Sequence, residues 1–233
     1  MRNFNKCRDT NVPDTRIRFK FLRTEAAAGT AHSMQIKEFR RRAAASGLPF
    51  CGNNTPKMSF GPALAEGCAS RCEFADLYLC DYVAEDEAFN KMIQLDDENY
   101  KVVSAERIPV FFPTVDSAVN AVKYSAFSDE PVFSESKLQY FLKSESCLCE
   151  RIKSSGKTQI FNVRELCVSA EIKDAGKRAE FVIKVSQGAN LRPEDAVKSI
   201  FGISREGCGP DKAFQIERIE LFWINSRGEL EVF

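Results

Sequence analysis

The sequence predicts an α+β protein of two ferredoxin-like halves, each a split βαβ unit with an antiparallel sheet. Three observations carry that expectation. Apolar and basic residues alternate over Arg16-Ile17-Arg18-Phe19-Lys20-Phe21, which is the period of a half-buried strand. Over residues 33–46 the apolar period lengthens to that of a helix, and the order β-α-β-β-α-β can be followed from there to Val110. Beyond a Pro-Val-Phe-Phe-Pro joint at 109–113 a similar order begins again. The expected organisation is a disordered polar tail at 1–14, a first half at 15–112 and a second at 113–233.

Within the first half, the opening strand turns Ile17, Phe19 and Phe21 to a core and displays Arg16, Arg18 and Lys20 on the other face. On the helix, Ile36, Phe39 and Ala43 fall within roughly 60° of one another and form a packing stripe. Lys37, Arg40 and Arg41 occupy a neighbouring sector of roughly 100°. Gly47 and Pro49 stop this helix. A turn-rich stretch from Cys51 to Lys57 leads into a short strand, Met58-Ser59-Phe60, and residues 73–79 alternate as another. Residues 85–95 read as a helix that opens on acid, which suits its positive end, and 100–110 close the half as a strand.

In the second half, strands are expected near 122–127, 147–152 and 158–163, around Phe181, Ile183 and Val185, and at 214–223. A helix at 134–143 puts Leu138, Phe141 and Leu142 on one face. Pro193 starts another helix, whose apolar residues are Val197, Ile200 and Phe201 and whose stop is Gly202. This is one or two strands more than a split βαβ unit needs, and no internal repeat supports duplication.

Thirty-three Lys and Arg balance 33 Asp and Glu, but unevenly along the chain. Residues 1–60 hold 12 basic against 4 acidic side chains, net +8; residues 61–100 hold 2 against 10, net −8; residues 101–233 hold 19 of each. That pattern excludes a uniform polyelectrolyte and leaves the first sixty residues able to build a basic surface. With 44% hydrophobic and 28% charged residues the composition is that of a folded globular protein. No apolar run nears the roughly 18–20 residues of a spanning helix, and the polar start lacks a signal-peptide stretch, so a cytoplasmic location and no membrane partner are expected.

Nine cysteines, odd in number and irregularly spaced, argue against a disulfide framework. Cys68 with Cys72 and Cys147 with Cys149 form close pairs, yet the single histidine, His32, is remote from both in sequence. Small buried thiols are the expected use, with no metal and no cofactor. One histidine and no nucleophile motif leave no catalytic residue to assign.

His32, followed fifteen residues later by Gly47-Leu48-Pro49 with Phe39 and Arg41 between, resembles the Ser-His-Leu-Asp helix and Gly-Leu-Pro segment of the bacterial radical-SAM-linked protein family, an uncharacterised domain. The resemblance continues through Pro56-Lys57-Met58-Ser59-Phe60, Gly67, Ser70 and Glu73-Phe74-Ala75-Asp76-Leu77. It returns at Phe161-Asn162-Val163-Arg164, Asn190-Leu191-Arg192-Pro193 and Phe201-Gly202, and covers about residue 15 to about 223. Family members occur fused behind a cobalamin-binding radical SAM domain or as separate chains, often encoded near ribonuclease and ribosomal-protein genes. The resemblance implies an accessory role in an RNA or ribosome setting, with any radical chemistry supplied by a radical SAM partner. Three positions depart from the family: Ala31 and Met34 replace its Ser and Asp, and Asn162 replaces a later Asp. About four residues of a Gly-Phe-Asn-Pro loop are absent between Pro49 and Pro56. His32 therefore lacks the carboxylate that would orient its imidazole for acid or base work.

The functional expectation is a non-catalytic module that binds RNA, or an RNA-linked partner, through phosphates. Candidate ligand-binding residues are Arg18, Lys20, His32, Lys37, Arg40, Arg41 and Lys57, joined by Arg164 and Arg192, which match family arginines. Arg16, Arg23 and Arg42 complete the basic group. Each has a plainer reading: a surface neutralised by the acidic 61–100 stretch, a helix cap for His32, a turn for Lys57, salt bridges for Arg164 and Arg192. Two other functions stand beside RNA binding. One is a subunit docking to a separate radical SAM enzyme through complementary charged surfaces; the other is a degenerate enzyme acting on a nucleotide, with His32, Lys57 and Arg164 around one cleft.

Overall fold

The computed structural model describes residues 12–152, 156, 158–185, 191–204 and 214–233; residues 1–11 of the expected tail lie outside them. The chain divides into two compact units, one of Met1–Glu66 with Cys72–Ala118, the other of Gly67–Arg71 with Val119–Phe233. Both mix helices with strands that pair mostly antiparallel, the α+β class the sequence predicts.

The first unit runs β1 (Thr15–Arg23), α1 (His32–Ala45), β2 (Met58–Phe60), β3 (Ala69–Leu79), α2 (Glu85–Ile93), β4 (Tyr100–Ile108) and the one-turn α3 (Val115–Ala118). Its strands lie in the order β4-β1-β3-β2. Ile17, Phe19 and Phe21 of β1 and Ala75, Leu77 and Leu79 of β3 are buried with Phe39 and Ala43 of α1 and Ala88 and Met92 of α2. Both helices therefore cover the same face of the sheet. The Phe21 and Phe39 rings meet with centroids 3.9 Å apart. Burying a side chain of that size contributes about 1.5–3 kcal/mol, and such packing, rather than capping, holds α1 in place. Its N-cap is Ala31, which has no side-chain oxygen to offer the first N–H groups. The helix ends at Gly47, whose φ of +69° is the left-handed stop that glycine adopts without penalty. Gly52 is more tightly required: at φ +113° a Cβ would lie 2.2 Å from the Thr55 carbonyl oxygen.

The second unit runs β5 (Ala121–Phe127), α4 (Glu135–Lys143), β6 (Leu148–Ile152), β7 (Thr158–Asn162), the single turn α5 (Val163–Leu166), β8 (Cys167–Lys173), β9 (Arg178–Lys184), α6 (Pro193–Phe201), β10 (Gln215–Ile224) and β11 (Leu230–Val232). Its strand order is β10-β5-β9-β8, antiparallel at each step, with β11 on β10. β6 and β7 form a separate two-stranded sheet. The start of β3 belongs here, where Ala69 and Ser70 pair parallel with Glu217 and Arg218. Phe133 packs against Phe201 and Phe214, with ring centroids 5.1 and 6.3 Å away. Pro193 opens α6 and Gly202, at φ +67°, closes it.

Several elements differ from the sequence expectation: the one-turn α3 and α5 and the short β11 fall where none is expected, and β3 and β8 differ as well. β3 begins at Ala69 rather than Glu73, because Ala69 and Ser70 are small residues buried by pairing, without the apolar alternation that marks a strand. β8 lies outside the strands expected from the sequence, although Val168, Ala170 and Ile172 alternate with Ser169, Glu171 and Lys173 in the period of a half-buried strand.

Candidate functional site

Alternation places Arg16, Arg18 and Lys20 on the face of β1 opposite its core residues, and Phe74, Asp76 and Tyr78 on the corresponding face of β3. Arg16 and Asp76 are both fully buried. Arg16 Nε donates to Asp76 Oδ2 at 3.1 Å, and its Nη2 makes a second contact to the same oxygen. The remaining Arg16 donors reach the carbonyls of Phe112 (2.5 Å) and Pro113 (2.9 Å). Arg18 adds a bidentate contact, Nε to Oδ1 at 2.7 Å and Nη2 to Oδ2 at 3.1 Å, and the Ser59 hydroxyl donates to Oδ2 at 3.2 Å. One carboxylate thus serves two guanidinium groups, and backbone carbonyls take the remaining donors of the buried Arg16.

The strand does not display three free cations, and the expectation that it does is corrected here. Arg16 is a structural group, and Arg18, with its side chain 12% exposed, shares its carboxylate. Lys20 stands with its ammonium 5.8 Å from the centre of the Phe74 ring. Lys57 is exposed and lies 5.1 Å from the Tyr78 ring, which also receives Arg16 at 5.4 Å.

Arg23 and Arg42 are buried as well. Arg23 ties down the approach to α1 by donating to the carbonyls of Ala27 (3.2 Å), Ala28 (2.8 Å) and Thr30 (2.6 Å) and to Gln35 Oε1 (3.3 Å). Gln35 in turn donates to the buried Glu73 at 3.1 Å. Arg42 pairs with Glu38 (2.9 Å) and Asp97 (2.6 Å), and sits over the Phe39 and Tyr100 rings. The hydrogen bond from Arg41, helped by Arg42 and opposed by burial, holds the Glu38 carboxyl below its usual 4.5. For Asp97 burial pulls upward, but the Tyr100 N–H, Arg42 and the Asn99 N–H outweigh it and the pKa is lowered. Asp96 goes the other way, raised chiefly by burial.

The cations that remain at the surface of α1 are Lys37 and Arg41, both exposed, and the half-buried Arg40. Arg41 is held to Glu38 by two bonds of 2.7 and 2.8 Å. His32, half-buried, is the first residue of the same helix. Lys57 joins none of these: α1 covers the face bearing Ala75 and Leu77, while Tyr78, which Lys57 overlies, belongs to the opposite face. In the second unit Arg164 stands 5.8 Å from the Phe141 ring, and the exposed Arg192 occupies the N-cap of α6. Phe141 also lines a cavity of about 480 Å³ with Lys137, Tyr140, Ser144 and Cys147.

Burial raises the thiols at Cys147 and Cys149, pushes Cys167 up to about 11 and, with the neighbouring Cys80 thiol, pushes Cys51 up to about 12. Such upward shifts favour the protonated thiol over the thiolate. Among the described residues no three His, Cys, Asp or Glu side chains gather as a metal site, and no helix is long and apolar enough to cross a membrane. Asp76, the residue that organises the basic strand, is not among the site residues the sequence suggests; its signal is a carboxylate between the apolar residues Ala75 and Leu77 of β3, on the face opposite that of Glu73.

These features define an α+β protein whose first unit converts much of its basic sequence into internal ion pairs. Over residues 16–193 the chain matches the family described as an uncharacterised protein conserved in bacteria, DUF2344. The chain belongs to that family. A search of curated proteins found no match.

Proposed function

We propose that the chain is a non-catalytic cytoplasmic module of two ferredoxin-like halves that binds RNA, as an accessory to modification chemistry carried out by a radical SAM partner. The orders β4-β1-β3-β2 and β10-β5-β9-β8 support the ferredoxin-like reading, with β6 and β7 as an insertion in the second half. The radical SAM link rests on the resemblance of His32, Gly47-Leu48-Pro49, Arg164 and Arg192 to that family's motifs.

One observation carries the RNA reading: Lys37, Arg40 and Arg41 share a sector of α1 beside the stripe of Phe39 and Ala43 that enters the core, with Lys37 and Arg41 exposed and Arg40 half-buried. Three cations neutralise about three phosphates, and on a single strand each contributes about 0.7 to the slope of log affinity against log salt. The slope attributable to this face is therefore about −2, which describes modest, sequence-tolerant binding. Anisotropy titrations of a labelled single-stranded RNA of roughly 20 nucleotides across a salt series test it. The variant Lys37→Ala/Arg40→Ala/Arg41→Ala should bind more weakly at low salt and flatten the slope by about 2 units. No binding by the wild type at low salt, or an unchanged slope in the variant, sinks the proposal.

A further inference from the structure

The register of β1 against β4 sets Arg16 opposite Ile108, and the Asp14 N–H donates to the Leu79 carbonyl at 2.9 Å. The start of β1 and the ends of β3 and β4 consequently meet at one end of the first unit's sheet. The start of α2 is there too, because Glu85 Oε1 accepts the Arg107 N–H at 2.8 Å. Three aromatic side chains emerge at this end largely uncovered: Tyr82 is 65% exposed, Phe111 86% and Phe112 50%. Phe111 and Phe112 meet edge to face, 5.4 Å between centroids, in a turn closed by the Phe112 N–H to the Pro109 carbonyl. Tyr82 lies 5.0 Å under the Arg107 guanidinium and lines, with Asp14, Arg107 and Val110, a groove of about 370 Å³. Folding gains nothing from exposed aromatic rings, and clusters of them mark places where another molecule removes water.

The charges around the rings say which molecule. Asp14, Glu85 and Asp86 are exposed at this end, whereas Arg107 is the one cation lining the groove among the described residues. Glu87 is matched by Lys91 at 2.8 Å. The roughly half positive charge of the α2 N-terminus does not balance carboxylates in this number. A phosphate backbone or an anionic lipid surface would be repelled here. Arginine and lysine side chains would be attracted by the carboxylates and would stack on the faces of Tyr82, Phe111 and Phe112. We infer that this end of the first unit is a docking surface for a basic segment of a protein partner, with Tyr82 and Phe111 as its anchors and Asp14 and Asp86 as its charged rim. It is a second surface, separate in chemistry from the α1 face and independent of the RNA reading.

The test uses a fluorescein-labelled peptide of alternating arginine and leucine, with a glutamate and leucine peptide of equal length as control. The whole chain should bind the arginine peptide saturably and leave the glutamate peptide free. Tyr82→Ala/Phe111→Ala should weaken that binding by at least about tenfold, with circular dichroism and the urea midpoint showing an intact fold. Asp14→Asn/Asp86→Asn, which keeps the rings, should weaken it too and flatten its salt dependence. Equal affinity in the aromatic variant overturns the inference, since bulk charge attraction would then suffice. So does failure of the wild type to bind the arginine peptide at low salt. Loss of RNA affinity in the aromatic variant also overturns it, because the occupant would then be a nucleic acid.

Discussion

Two sets of cations in the first unit differ in what surrounds them rather than in sequence. Arg16 and Arg18 on β1 face β3, the neighbouring strand, and share Asp76 there; on α1, Lys37 and Arg41 are exposed and Arg40 is half-buried at the flank of the core stripe. The first set is enclosed and shares one carboxylate from the 61–100 stretch, and Arg42 is likewise met by Asp96 and Asp97 from it. A net charge of +8 over sixty residues therefore overstates the basic surface it builds. The difference teaches that a basic stretch leaves cations at the surface only where no neighbouring strand encloses them, and even on α1 Arg41 is paired with Glu38.

The sharpest way to break the comparison is to remove the shared carboxylate. Asp76→Ala leaves Arg16 buried without an anion and Arg18 without its fork, and breaking a buried pair in this way costs about 3–5 kcal/mol. Urea unfolding should show that loss. Asp76→Asn keeps an oxygen for Arg16 and Ser59 and should lose less. A loss under about 1 kcal/mol for the alanine variant would mean the pair is solvated and β1 displays its cations after all.

Arg42 sharpens the same contrast with a smaller effect. Its partners Glu38 and Asp97 are partly exposed, so Arg42→Met, which keeps apolar bulk over Phe39 and Tyr100, should cost about 2 kcal/mol. The pH dependence has a definite sign. Glu38 and Asp97 have folded pKa values below their usual 4.5 and 3.8, so their stabilisation is fully present above those values and lost as pH falls through the lowered ones. Asp96, raised by burial, opposes part of this over the interval just above 3.8. Wild type should therefore lose stability on acidification below about pH 4.5 more steeply than Arg42→Met. Parallel curves would assign the acid sensitivity elsewhere.

What was legible in the sequence was local. Alternation located β1 and its core residues Ile17, Phe19 and Phe21, helical spacing located the stripe of Phe39 and Ala43 on α1, and Pro193 with Gly202 bracketed α6. The candidate site was legible only on α1, where neighbours along the helix determine the face. What β1 does with Arg16 and Arg18 depends on β3 lying beside it, a contact across about sixty residues that no periodicity records. The same holds for Lys57, which a topological fact, the side of β3 that carries Tyr78, separates from α1. Exposed aromatics escape for a related reason: Tyr82, Phe111 and Phe112 have the composition of core residues, and only the fold leaves them outside.

The smallest expected effect on stability belongs to the α1 face, and its smallness is informative. Lys37→Ala/Arg40→Ala/Arg41→Ala removes one exposed pair, Arg41 with Glu38, worth about 0.3–0.5 kcal/mol. Alanine returns a few tenths of a kcal/mol per residue as the better helix former. The urea midpoint should therefore move by an amount equivalent to about 0.5 kcal/mol or less, an order of magnitude below Asp76→Ala. If RNA affinity falls while the midpoint stays, these cations serve a ligand; if the midpoint falls by 2 kcal/mol or more, about what a buried charge is worth, then Arg40 is structural in the manner of Arg42, and the contrast between the two sets of cations disappears.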